Sequence, residues 1–300
     1  MAYPTIDKPY GLKPVNLVGG RVFSGSTRMI PIKQAYNANI YNGDAVAMTA
    51  APSTGTVTVS ALAYNSSTPL AGQVGVFLGC EYSPVSGPIF GKQRNQYWPA
   101  ATASQDAVAY VADDPGQLFK AVCLAQSSGG ASNSLTAVGY VSPAFVGSNL
   151  ALAANGSGAV ATGDSLAGLT SATAPTNGSG ILRATASTVG PFRVVELVKE
   201  TAVTLQGSGT ISTTTVTLAA AVTGLQAGMQ IIVLNTAGTG YTTAGYPGDY
   251  NYVTNVNGTT VTIATAITAA SAVTILFVGY PEVIVGWAGV NHAYLNGTGV

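Results

Sequence analysis

Charge is scarce in this 300-residue chain, with 7% of residues Asp, Glu, Lys or Arg against roughly a quarter in an ordinary globular domain. The eleven basic and eleven acidic side chains cancel, so no whole-molecule attraction to nucleic acid or anionic lipid is expected. Histidine occurs once, as His292; the commonest general base thus exists in one copy, near the C-terminus in Asn291-His292-Ala293-Tyr294, and reads as structural. Two cysteines, Cys80 and Cys123, are too few for a disulfide scaffold and lack the companions of a zinc site. Each lies in an apolar run and reads as a buried free thiol. Met1 to Gly11 hold no apolar stretch, so no secretory signal is expected. The longest apolar candidate span, Val216 to Leu234, is broken by Thr217, Thr223, Gly224, Gln226, Gly228 and Gln230 and reads as two strands and a turn rather than a membrane helix.

Catalytic patterns are missing as well. There is no nucleophile elbow, no dinucleotide-type glycine pattern after a strand and no paired-histidine motif, and Gly91-Lys92 lacks the upstream glycine of a phosphate loop. Asp113-Asp114-Pro115-Gly116 places two carboxylates in one turn, which suits Ca²⁺ but is also ordinary turn chemistry, the reading favoured here. No enzyme activity, metal or cofactor is expected.

What the chain has instead is 47% hydrophobic residues and 37 glycines. Apolar residues alternate with small or polar ones in short runs: Thr56 to Val59, Val74 to Phe77, Ala107 to Val111, Thr215 to Leu218, Thr260 to Ile263. This is the period-two signature of strands, and Gly, Pro and Asn punctuate it at the spacing of a sandwich or barrel. No segment shows a persuasive amphipathic-helix pattern. The fold expected is all-β: a β-barrel or sandwich body with an extended N-terminal arm and a second, smaller β-sandwich-like domain. The clearest local feature is Tyr250 to Ile263, where Asn257-Gly258 is expected to supply the two positive-φ residues of a tight hairpin. Gly/Ser-rich Ser127 to Ser134 and Asn155 to Gly180 read as long surface loops.

The few charges are unevenly placed. Lys8, Lys13, Arg21, Arg28 and Lys33 fall in the first 33 positions with Asp7 alone opposing them, and no basic residue follows Lys199. Residues 1–35 therefore read as an extended basic arm. The composition change after Lys199 suggests a boundary, giving a β body of 36–200 plus 278–300 and an inserted small β domain at 201–277, whose flanks, Pro191 to Lys199 and Pro281 to Trp287, are expected to pair as neighbouring strands. Tyrosine outnumbers phenylalanine, 15 to 7. Tyr241, Tyr246, Tyr250 and Tyr252 cluster in the small domain, where they either plug the end of a sandwich or form a glycan or host-surface contact. A neutral surface has little repulsion to keep copies apart and favours association.

Several longer motifs carry a resemblance. Pro9-Tyr10-Gly11-Leu12-Lys13-Pro14-Val15-Asn16-Leu17-Val18-Gly19-Gly20, Gly25-Ser26-Thr27-Arg28, Ile40-Tyr41-Asn42-Gly43-Asp44, Gly75 to Tyr82, Tyr97-Trp98-Pro99-Ala100 and Ala109 to Pro115 resemble the tailed-bacteriophage virion structural proteins of the capsid decoration, or cement, kind. Val283-Ile284-Val285 and Asn291-His292-Ala293-Tyr294 look like that family's closing strand. The likeness covers about 9–145, 190–199 and 281–294 and departs across 201–277, which looks like an added β domain. It implies a homotrimer on the outer surface of the capsid that clamps the major capsid protein, with Lys8, Lys13, Arg21, Arg28 and Lys33 at the capsid interface and neither nucleic acid nor membrane as partner. The alternatives are an adhesion protein that binds glycan or host surface through 201–277, and a head–tail connector component.

Overall fold

The computed structural model describes residues 5–33, 36–48, 57–59, 73–84, 91–100, 102, 104, 106–127, 135, 137–171, 173–183, 190–234, 250–288 and 292. The fold is all-β. The first half of the chain contributes β1 (Lys13–Leu17), β2 (Arg21–Val22), β3 (Arg28–Pro31), β4 (Ala45–Met48), β5 (Val57–Val59), β6 (Gln73–Tyr82), β7 (Gln93–Asn95), β8 (Val108–Ala112), β9 (Gln117–Val122) and β10 (Gln126–Ser127). The second half adds β11 (Asn149–Ala153), β12 (Gly168–Thr170), β13 (Ser179–Gly180), β14 (Phe192–Leu197), β15 (Val203–Leu218), β16 (Gln230–Val233), β17 (Val253–Asn257), β18 (Thr260–Gly279) and β19 (Glu282–Trp287).

Two sheets make the body. One has seven strands in the order β12-β11-β14-β19-β9-β1-β2, the other six, β3-β8-β6-β4-β5 with β7 beside β6. They pack face to face: Phe119, Phe192 and Trp287 of the first share one core with Ala45, Val76 and Ala112 of the second. Strand β6 is covered on both faces, because Phe77, Cys80 and Tyr82 enter a further core with Trp98 and Ile40. A strand buried on both sides reads as a near-continuous apolar run, as Val74 to Cys80 does.

Strands β14 and β19 pair antiparallel, Leu197 opposite Val283, and the strands described between them build a separate four-stranded sheet, β15-β18-β16 with β17 on β18. Its β15 and β18 are 16 and 20 residues long. Their register slips at three places, and Thr213 and Ala272 sit at φ 56 and 55. Such irregularities bend a ribbon, and this one doubles back: the Ala219 N–H donates to the Ser208 carbonyl at 2.8 Å. Gly209 permits the closure, since a Cβ there would lie 2.3 Å from the Thr217 carbonyl oxygen. The bend encloses a second core of Ile211, Val216, Met229, Ile231, Ile275 and Phe277 among others. This sheet is docked on the body by main-chain bonds, Ile181 N–H to Ala227 O at 3.1 Å and Ala227 N–H to Ser179 O at 3.1 Å, and by Tyr252 edge-on to Phe145.

Three expectations change. The N-terminal segment is not an extended arm over its described residues, 5–33: β1 pairs with β9 and β3 with β8, while Leu12, Ile30 and Ile32 are buried. The apolar residues between the charges anchor the chain, and Lys13, Arg21 and Arg28 lie on sheet strands. The stretch Asn155 to Gly180 is not all surface loop, because Ala167 and Leu169 are fully buried and β12 pairs with β11. In the hairpin, Asn257 pairs with Thr260, which leaves Gly258-Thr259 as the loop. Only Gly258 has positive φ, +60, which places glycine at the first central position of a two-residue turn.

Both cysteines are free and buried. Burial pushes the Cys80 thiol up to about 12 and raises that of Cys123 as well. Since the thiolate is the reactive form, neither should react with a thiol reagent at about pH 8 in the native protein, and both should react after denaturation, as read by colorimetric titration.

Candidate functional site

The five basic residues singled out in the sequence divide into two groups. Lys13 on β1 is tied inward, its Nζ donating to Asn42 Oδ1 at 2.9 Å and pairing with Asp164 at 3.1 Å. Arg28 on β3 pairs with Asp113 at 3.5 Å. Lys8, Arg21 and Lys33 are exposed and, among the described residues, form no ion pair. Strand β2 is the last in the seven-stranded sheet and β3 the last in the six-stranded one, so the N-terminal segment supplies an outer edge of each. Three large apolar side chains are exposed on or beside these edges: Val18 at 59%, Val22 at 77% and Met29 at 61%. Edge strands present unpaired main-chain groups, and exposed apolar side chains there mark contact surfaces.

Asp113-Asp114-Pro115-Gly116 is a turn: Asp114 Oδ1 accepts from the Gly116 N–H at 2.7 Å. Among the described residues no group of three or more His, Cys, Asp or Glu is placed to hold a metal ion, and no helix is long and apolar enough to cross a membrane. His292 is buried against the Trp287 ring, 5.2 Å between centroids, and that burial lowers its pKa.

Of the four tyrosines proposed as a glycan contact, Tyr241 and Tyr246 lie outside the described residues. Tyr252 packs its ring on Phe145 at 5.5 Å, while Tyr250 is exposed. The pair is split between core and surface rather than joined in one platform.

The motif residues of the first half meet at a polar knot that composition did not reveal. Asp44, fully buried, accepts from the Tyr41 N–H at 2.8 Å, the Gly156 N–H at 3.0 Å and the Ser165 hydroxyl at 2.6 Å. The Leu12 N–H donates to the Gly43 carbonyl at 2.9 Å and the Gly43 N–H to Phe77 at 2.8 Å. Gly11 and Gly43 approach so closely that a Cβ on either would lie 2.8 Å from the other's Cα. Net desolvation raises the Asp44 carboxyl to about 6 despite those donors. Asn42-Gly43-Asp44 therefore joins three segments of the sandwich. A second buried carboxylate, Glu282, pairs with Lys120 at 3.2 Å and accepts from the Tyr10 hydroxyl.

Surface concavities lie at the added sheet. Between it and the body runs a cleft of about 510 Å³ lined by Pro143, Val146, Val195, Ile232, Tyr250 and Tyr280, of which Val146, Val195 and Tyr250 are exposed. Across Glu196, Leu197 and Lys199 it adjoins a polar hollow of about 450 Å³ that includes Glu200, Thr201 and Glu282. At the bend of the long ribbon a trough of about 610 Å³ is lined by small residues such as Ser208, Thr210, Thr217 and Ser271. The chain matches no family model, no curated protein and no solved structure.

Proposed function

We propose that the chain is a non-enzymatic structural protein of a tailed-phage virion, a decoration protein that lies on the outside of the head and ties neighbouring coat subunits together. The observation that carries this reading is the placement of the N-terminal segment, which forms an outer edge of both body sheets and exposes Met29 and Val22 beside Arg28 and Arg21. An edge strand with exposed apolar side chains and flanking cations suits an extended, mixed contact on another protein. Burying apolar area contributes about 25 cal/mol per Å², so a modest contact repeated over a shell adds up even after the cost of association. The resemblance of the N-terminal motifs to decoration proteins supports the same reading.

Deleting the N-terminal segment is no test, since Leu12, Ile30 and Ile32 belong to the cores. The informative variant combines Lys8→Glu, Met29→Glu and Lys33→Glu, all at exposed positions. Mixed with heads built from the coat protein of the same genome, the native chain should cosediment and appear on the outer surface by electron cryomicroscopy, and the triple variant should lose most of its occupancy. Full occupancy by the variant, or density only at a unique vertex, would overturn the proposal. The trough of hydroxyl-bearing residues at the ribbon bend favours adhesion as a second reading, which a glycan array on the intact chain separates from the first.

A further inference from the structure

The cleft beside the added sheet and the β1–β2 hairpin complement one another in shape and chemistry. We infer that the hairpin tip of one copy, Val18 to Val22, seats in the cleft of a second copy of this chain, with Arg21 facing Glu196 and Glu200. This self-contact goes beyond the capsid reading and does not depend on it.

The knob is small and projecting. Gly19 and Gly20 form the turn of β1 and β2, and a Cβ on either would meet nothing within 4 Å. Val18 and Val22 flank it, both largely exposed, with Arg21 between them, exposed and without an ion pair among the described residues. Two branched apolar side chains and a cation are thus exposed at one turn.

The receiving surface has the opposite composition. A bulge in β14, where Val194 pairs with Val285 and Glu196 with Ile284, turns two successive side chains, Val195 and Glu196, outward instead of one. A regular strand would send them to opposite faces. Val195 thus joins Val146 and Tyr250 on the apolar wall, and Glu196 stands where the apolar cleft meets the polar hollow. Of the charged groups around the hollow, Glu282 is matched by Lys120, leaving Glu196 and Glu200 against Lys199. Among the described residues Lys199 forms no ion pair, and the two acids outnumber it, which suits an incoming guanidinium. Thr201 lines the same hollow beside Glu200.

The contact is between copies rather than within one. Strands β14 and β2 belong to the same sheet but are separated by β19, β9 and β1, four spacings or roughly 19 Å, too far for a two-residue turn to reach back. A knob and a cleft on different parts of one surface make a heterologous interface, which propagates head to tail and ends only when a ring closes.

Sedimentation of the full chain over a range of concentrations tests the inference. The native protein should associate, and Arg21→Glu or Glu196→Lys alone should weaken association about tenfold or more, with Val22→Asp acting in the same direction. Both charge positions are exposed, so circular dichroism and melting should stay at native values. The double variant carrying Arg21→Glu and Glu196→Lys restores the opposite-charge pair and should recover most of the association. A native chain that is monomeric throughout, single variants that associate normally, or a double variant no better than the singles would each overturn the contact. Head binding is read separately through Lys8, Met29 and Lys33, so failure of either idea is distinguishable from failure of the other.

Discussion

Asp44→Ala is expected to cost about 3–5 kcal/mol, enough to leave a domain of ordinary stability, roughly 5–15 kcal/mol, partly unfolded. The carboxylate accepts from Tyr41, Gly156 and Ser165 in a fully buried position. Alanine would leave those three donors without partner or water, and each orphaned donor costs about 1–3 kcal/mol. A urea midpoint shifted by less than a third of the native value would show that the knot matters little. Asp44→Asn keeps one accepting oxygen but turns an amide N–H₂ toward a donor, so it should fall between alanine and native.

The same residue sets a pH dependence of definite sign. Its carboxyl is raised from an ordinary 3.8 to about 6, so as pH falls the folded chain takes up this proton before the unfolded chain does. Stability from Asp44 is therefore greatest below about 4, declines as pH rises to about 6, and is flat above that. Glu81 acts oppositely: Arg94, then the Tyr110 hydroxyl, and Lys92 hold it near 2, so its contribution is present above about 4.5 and is lost as pH falls toward 2. Because Glu81 acts alike in both chains, the native-minus-Asp44→Asn difference in urea midpoint should fall as pH rises from 4 to 6.

Phe192→Ala is the second large effect, about 3–5 kcal/mol. The Phe192 ring lies tilted on Trp287 at 4.8 Å and edge-on to Phe119 at 6.4 Å, and Phe119 meets Trp287 edge-on at 5.9 Å. These side chains come from β14, β9 and β19, neighbouring strands at the centre of the seven-stranded sheet, so truncation opens a cavity beside the Phe119 and Trp287 rings. Phe192→Leu should cost about 1–1.5 kcal/mol. Denaturant midpoints measure both, and tryptophan fluorescence reports the site because the chain has only two tryptophans, the other, Trp98, lying in a different core. Equal midpoints for alanine and leucine would show that the aromatic cluster contributes no packing energy.

The β character was legible from alternation alone, and every run singled out for period-two patterning lies within or overlaps a strand. What pattern could not show was where strands bend. Thr260 to Ile263 announces a strand, but the Ala- and Thr-rich stretch from Ala264 to Ala272 has no alternation, because the ribbon there turns back on itself and its residues are largely exposed. The extended arm expected at the N-terminus is instead part of the body, because Leu12, Ile30 and Ile32, whose spacing crosses two sheets and has no period, are buried in its cores. The Asp44 knot is not legible in the sequence, since an Asn-Gly-Asp triplet reads locally as a turn and two of its three partners, Gly156 and Ser165, lie more than a hundred residues away. The outward pair Val195 and Glu196 depends on a bulge, which strict alternation denies.

Leu197 and Val283 face each other across adjacent strands, so the chain departs and returns through the same narrow doorway. The entropy of closing such a loop rises only with the logarithm of its length, so a longer excursion adds little to the cost of pairing the two strands. A lineage could lengthen, shorten or exchange that ornament while the masonry beneath it stays laid.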